Sequence, residues 1–140
     1  MCTFERYPYF LEDAHVRVVR EQLLLNTGPA DMELTAYCFM HDHLHALVEG
    51  KSERADARKW IDGFRRRSGF HYRRLFRARL WQEGYFDRVL RREESTVAVV
   101  AYVLANPVRG GLCATAGEYR YSGSSRYSVD DLAAAVQWRP

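Results

Sequence analysis

Long apolar runs are missing from these 140 residues. No stretch reaches the length of about 18 residues that a membrane-spanning helix needs, so a membrane protein of that kind is excluded. The opening Met1-Cys2-Thr3-Phe4-Glu5-Arg6 lacks a basic segment followed by an apolar stretch, and no secretory signal is expected. Cysteine is scarce: Cys2, Cys38 and Cys113 have no metal-binding spacing and cannot all pair. Reduced thiols in a cytoplasmic protein are the simplest reading. Internal repeats and linker-like stretches are also lacking, which leaves a single domain over residues 1–140.

What is present is an ordinary globular composition, 47% apolar and 28% charged, which argues against disorder. The net charge is only +3, but it is unevenly spread. Residues 51–92 hold 14 of the 21 basic residues against 5 acidic ones, so the middle is +9 and the flanks together −6. A basic block of this kind points to a polyanionic partner, because phosphate contacts supply the sequence-independent part of nucleic-acid affinity. The alternative is a solvated, arginine-rich helix face. Aromatic residues threaded through the block (Trp60, Phe64, Phe70, Tyr72, Phe76, Trp81, Tyr85, Phe86) favour nucleic acid.

Helical spacing of Val16, Val19 and Leu23 predicts an amphipathic helix over residues 12–25, stopped by Asn26 to Pro29. Residues 33–39 and 43–48 read as two strands joined by a tight hairpin. A basic helix runs from Asp56 to Phe76, with a break possible at Gly69, and residues 84–91 resemble a short strand. A third helix starts at Ser95 or Thr96 and ends at Asn106, where Pro107 should force the chain out. The tail after Gly110 reads as loops with one short helix at Val129 to Val136. This order of elements is an α+β pattern with an antiparallel sheet.

The sharpest chemical feature is His41-Asp42-His43-Leu44-His45. Side chains alternate along a strand, so His43 and His45 project from one face and can share a metal ion, while Leu44 and Ala46 face the core. His41 belongs to the turn and is a weaker candidate ligand. Alternating histidines also open the sites of binuclear zinc hydrolases, but here only His15 and His71 remain as further histidines. A second pair, Tyr102 and Asn106, shares one helix face four residues apart. Taken alone, Tyr102 reads as core and Asn106 as a helix stop.

Three segments tie these features together. The stretch Ala36-Tyr-Cys-Phe-Met-His-Asp-His-Leu-His-Ala-Leu-Val-Glu49 resembles the histidine-hydrophobic-histidine (HUH) strand of single-tyrosine transposases. Trp81-Gln-Glu-Gly-Tyr-Phe-Asp-Arg-Val-Leu-Arg91 and Tyr102-Val-Leu-Ala-Asn-Pro-Val-Arg-Gly-Gly-Leu112 follow in matching order. Together they resemble the REP-associated tyrosine transposases over roughly residues 3–125. The resemblance implies a ferredoxin-like α+β fold, an antiparallel sheet with helices packed on it. It implies Tyr102 as nucleophile and His43, His45 and Asn106 as ligands of a divalent metal, Mg²⁺ or Mn²⁺. The implied reaction is cleavage and strand transfer of single-stranded or hairpin DNA through a 5′-phosphotyrosine, in the bacterial cytoplasm at the nucleoid. Monomer and homodimer are both compatible with it.

The residue types suit that chemistry. A phenol, with an ordinary pKa of about 10, is a weak nucleophile until activated. Phosphoryl transfer needs positioning and neutralised charge, which a metal supplies. Arg65, Arg66, Arg67, Arg73, Arg74 and Arg88 are the candidates for holding DNA phosphates. Trp81, Tyr85 and Phe86 are candidates for base stacking, with core packing expected for at least two of them. Relatives begin with an additional strand, of which Met1 to Arg6 resembles only the end. A truncated first strand and an exposed sheet edge beside the histidines are therefore expected, and with them the alternative of a catalytically inactive DNA-binding module.

Overall fold

The computed structural model describes residues 1–26, 30–87, 96–128, 130–132 and 134. Helix α1 spans Asp13–Leu25, strand β1 Met32–Met40, strand β2 His43–Gly50, helix α2 Ala57–Phe76, helix α3 Thr96–Arg109 and strand β3 Ser122–Gly123. The sheet is antiparallel in the order β2-β1-β3. Two isolated bridges extend it at the β2 edge: Cys2 pairs with His43, and Thr3 pairs with Trp81. The bonds Leu44 N–H to Met1 O (2.8 Å), Phe4 N–H to Leu80 O (2.8 Å) and Gln82 N–H to Cys2 O (3.2 Å) support them. Counting those segments, the order is 80–82, 1–4, β2, β1, β3. The first four, with α1 and α2 as crossovers, follow the ferredoxin-like arrangement expected. The opening segment holds β2 only at residues 42–44.

A bulge decides which side chains face which way. The pairing shifts between Leu34 and Ala36, leaving Thr35 as the extra residue. Met32, Leu34, Tyr37 and Phe39 consequently share one core with Leu44, with Val16, Val19 and Leu23 of α1, and with Trp60, Phe64 and Tyr72 of α2. Ala36, Cys38 and Leu47 face a second core under α3, built from Val100, Val103 and Leu104 with Tyr119 and Leu132. So α1 and α2 cover one face of the sheet and α3 the other.

Helix α2 starts at Asp56, whose carboxylate accepts the Lys59 N–H (2.9 Å), and it runs unbroken through Gly69. Helix α3 passes through Pro107, contrary to the stop expected there. Proline leaves the Val103 carbonyl without its usual donor, and the Asn106 side-chain amide replaces it at 3.2 Å. The helix ends instead at Gly111, with φ 72°. Gly111 N–H reaches Val108 O and Leu112 N–H reaches Pro107 O, a Schellman stop.

The first half of the strand expected at 84–91 is a second correction. Residues 84–87 are irregular, the pairing lies upstream at Trp81, and 88–91 fall outside the described residues. The tail, expected as loop, contributes β3 to the sheet. Residues 130–132 and 134 of the expected tail helix are helical, with Ser128 Oγ accepting the Asp131 N–H (3.0 Å).

Candidate active site

Alternation along β2 puts Leu44 into the α1/α2 core and His43 and His45 onto the face that carries α3. Their Nε2 atoms stand 3.1 Å apart, with the rings edge to face. His43 Nδ1–H donates to Asp42 Oδ1 (2.7 Å), and Arg6 Nε donates to Asp42 Oδ2 (2.9 Å). With His43 Nδ1 turned to Asp42, its Nε2 faces His45. Burial pushes the Asp42 carboxyl up. The hydrogen bond from His43 and the charge of Arg6 outweigh that and hold it below its ordinary value. The turn around Asp42 is fixed independently, since Thr3 N–H (2.9 Å) and Thr3 Oγ–H (3.0 Å) both donate to its carbonyl.

His45 is neutral at physiological pH. Burial, then the neighbouring His43, the N-terminal ammonium and last the Arg109 cation, lower its pKa to about 4. Two imidazole nitrogens 3.1 Å apart fit a shared divalent ion, because metal–nitrogen bonds of about 2.1 Å at roughly right angles give that separation. Among the described residues no third His, Cys, Asp or Glu joins them in a cluster. His41 lies in the turn, off the strand.

Helix α3 brings the tyrosine to the histidines. Tyr102 is 53% exposed, and its ring lies edge-on to His45 with centroids 6.3 Å apart. Glu49 seats the start of the helix: its carboxylate accepts from Thr96 Oγ (3.2 Å) and from Thr35 Oγ at the bulge (3.0 Å). One turn beyond Tyr102, Asn106 Nδ2 donates to the carbonyls of Tyr102 (3.1 Å) and Val103 (3.2 Å). That leaves Asn106 Oδ1 as the outward acceptor, and Arg109 Nη2 donates to it at 3.0 Å. The Arg109 guanidinium also lies 4.2 Å above the Tyr102 ring.

The expected nucleophile thus faces the histidine pair, with Asn106 one helical turn away. Asp42 and Arg109 were not singled out from sequence. Asp42 sits in the turn, outside the alternation that flagged the histidines. Arg109 could have been found from its spacing, seven residues after Tyr102 and three after Asn106, which is one helix face.

The candidate phosphate-binding arginines lie elsewhere. Arg65, Arg66, Arg67, Arg73 and Arg74 are on α2, across the sheet from the histidines. Arg65, Arg66 and Arg73, with Arg79, Phe70 and Trp81, line a cleft of about 670 Å³. Arg67 lines a neighbouring cleft of about 510 Å³ with Arg58 and Lys59. Arg74 is exposed outside both, and Arg88 lies outside the described residues. Arg65 also donates to the Gln82 carbonyl and sits 5.3 Å over Tyr85. Of the three aromatics only Trp81 is in the core, its indole N–H donating to Ser68 Oγ (2.9 Å). Tyr85 is half-buried, and Phe86 is 90% exposed, a surface position where packing was the expectation for most of the group.

An antiparallel sheet presenting two histidines to a helix-borne tyrosine defines a class of DNA-processing proteins of the HUH type. The chain belongs to the IS200-like transposase family, whose model matches residues 1–106. DNA is accordingly its partner. No curated protein and no solved structure matches the chain. Among the described residues no helix is long and apolar enough to cross a membrane.

Proposed function

We propose that the protein is a metal-dependent strand-transferase for single-stranded DNA, of the REP-associated kind, in which Tyr102 is the nucleophile. The observation that carries this is the Tyr102 ring standing edge-on to His45 at 6.3 Å, with the two histidine Nε2 atoms 3.1 Å apart beside it. In the first step the Tyr102 oxygen attacks the scissile phosphorus and the bond from phosphorus to the 3′ oxygen breaks. The phenolic proton leaves to solvent, the departing 3′ oxygen takes one up, and a 5′-phosphotyrosine remains. A 3′-OH then reverses the reaction onto the same or a new strand, so no external energy source is needed.

His43, His45 and the Asn106 amide oxygen would hold a divalent ion, Mg²⁺ or Mn²⁺, which when bound supplies Lewis-acid charge and a template for the phosphoryl oxygens. Asp42 fixes the His43 ring so that its Nε2 lone pair points into the site. The resemblance of Trp81 to Arg91 and of Tyr102 to Leu112 to the REP-associated transposases supports a hairpin-forming repeat as substrate. The basic clefts along α2 offer that hairpin a phosphate-binding surface.

The test is a gel assay with end-labelled hairpin oligonucleotides and Mn²⁺. A protein-linked DNA band that requires both the metal and Tyr102, and disappears in Tyr102→Phe while DNA binding persists, is the expected result. Cleavage retained by Tyr102→Phe would remove Tyr102 as nucleophile. A bound but uncut cognate hairpin would instead favour an inactive DNA-binding module.

A further inference from the structure

We propose that Arg109 is the phosphate-binding residue of the reacting centre, its guanidinium held on the Tyr102 ring so that it grips a non-bridging oxygen of the phosphodiester that Tyr102 attacks. The inference rests on the strand-transfer reading of this face and goes beyond the family match, which ends at residue 106.

Three observations converge on it. The first is placement: the guanidinium carbon lies 4.2 Å over the Tyr102 ring, and Nη2 donates to Asn106 Oδ1 at 3.0 Å. The cation therefore touches both residues that α3 brings to the histidines, and its charge is felt at His45. The second is that Arg109 has no carboxylate partner among the described residues. An exposed guanidinium with no described acid beside it meets, next to a nucleophile, its natural partner in a phosphodiester, whose two non-bridging oxygens match the planar fork. The third is pre-organisation. The Schellman stop at Gly111 holds the last helical turn, so Arg109 projects from the same face as Tyr102, two turns on.

The grip and the orientation of Asn106 are compatible. Asn106 Oδ1 has two lone pairs, and an arginine donor on one of them leaves the other free. Arg109 thus positions the Asn106 amide, its oxygen outward, while remaining exposed to substrate. The covalent step is unchanged: the bond from the tyrosine oxygen to phosphorus forms, the bond to the 3′ oxygen breaks, and no further reactant is required. Arg109 adds charge where the phosphoryl oxygens become most negative.

Two measurements test this. In a Tyr102→Phe background, which keeps the ring and prevents cleavage, binding of a short oligothymidylate is followed by fluorescence anisotropy over a range of KCl. Adding Arg109→Gln should lower the slope of log affinity against log salt by about 0.7, the value of one phosphate contact on a single strand. An unchanged slope overturns the phosphate contact, whatever the protein's reaction proves to be.

With Tyr102 intact, Arg109→Gln should slow formation of the covalent adduct on the order of 10²-fold, and Arg109→Lys should recover part of the loss. Replacing the scissile phosphate by a neutral methylphosphonate should bring wild type and Arg109→Gln to similar rates. If the variant still lags by the same factor, Arg109 acts only on the fold of α3 and the proposal fails. If wild type forms no adduct, the strand-transfer reading falls, and the salt slope alone decides whether Arg109 binds phosphate.

Discussion

Asp42 shows how a residue with no metal-ligand geometry of its own can control the site. Its two carboxylate oxygens take hydrogen bonds from His43 and Arg6, so it sets the His43 tautomer and is itself kept ionised. Asp42→Ala removes that acceptor, yet both Thr3 bonds to the backbone carbonyl survive and the turn should persist. We expect adduct formation to fall by about 10–100-fold, the usual cost of losing an outer-shell partner, with DNA affinity unchanged. Single-turnover adduct kinetics and anisotropy check the two halves. An unaltered rate would mean that something other than Asp42 holds the His43 ring.

The histidines were legible because a period of two on an apolar strand is a strong local signal. Asp42 was not, because a turn residue carries no periodicity. Tyr102 and Asn106 were visible as one helix face, but their proximity to His45 depends on how α3 crosses the sheet, which no local pattern encodes.

Among the elements, α3 is where local signals competed. Pro107 reads as a terminator, yet the Asn106 amide bonds the carbonyl that proline strands, and the helix continues for two more residues to Arg109. Gly111 ends it. A Cβ there would meet nothing within 4 Å, so a substitution costs only the φ of 72°. Gly111→Ala should therefore destabilise the protein by about 1 kcal/mol, a drop in Tm of roughly 2–5 °C by calorimetry. Loss of adduct formation beyond that expected from the unfolded fraction would show that the helix stop also aims Arg109.

The hairpin of β1 and β2 was read almost to its ends, because alternation and a short turn are both sequence-local. Residues 84–87, the described part of the strand expected at 84–91, are irregular for the converse reason. Its pattern matches a strand, but the partner available to the chain, the segment at residues 2–4, is met earlier, at Leu80 to Gln82.

At the scale of the molecule the sheet divides the labour. Histidines, Tyr102 and Arg109 occupy the α3 face, while the basic surface of α2 lies on the other. Neutralising Arg66 and Arg73 together should weaken DNA binding and flatten its salt dependence, yet leave the adduct rate at saturating DNA near wild type. Titration of affinity against salt, beside single-turnover rates, separates the two faces. A matching loss in the saturated rate would place those arginines in the chemistry after all.

The way the sheet is closed has a further consequence, for the time course of its assembly. Residues 1–4 lie between β2 and Leu80–Gln82, so they contact partners about 40 and 80 positions later in the chain. A chain emerging from the ribosome can form α1 and the hairpin early, but Thr3 has only one of its two neighbours until Trp81 has appeared. The turn that carries Asp42 is bound to Thr3, so the histidine face should be among the last parts of the protein to become ordered.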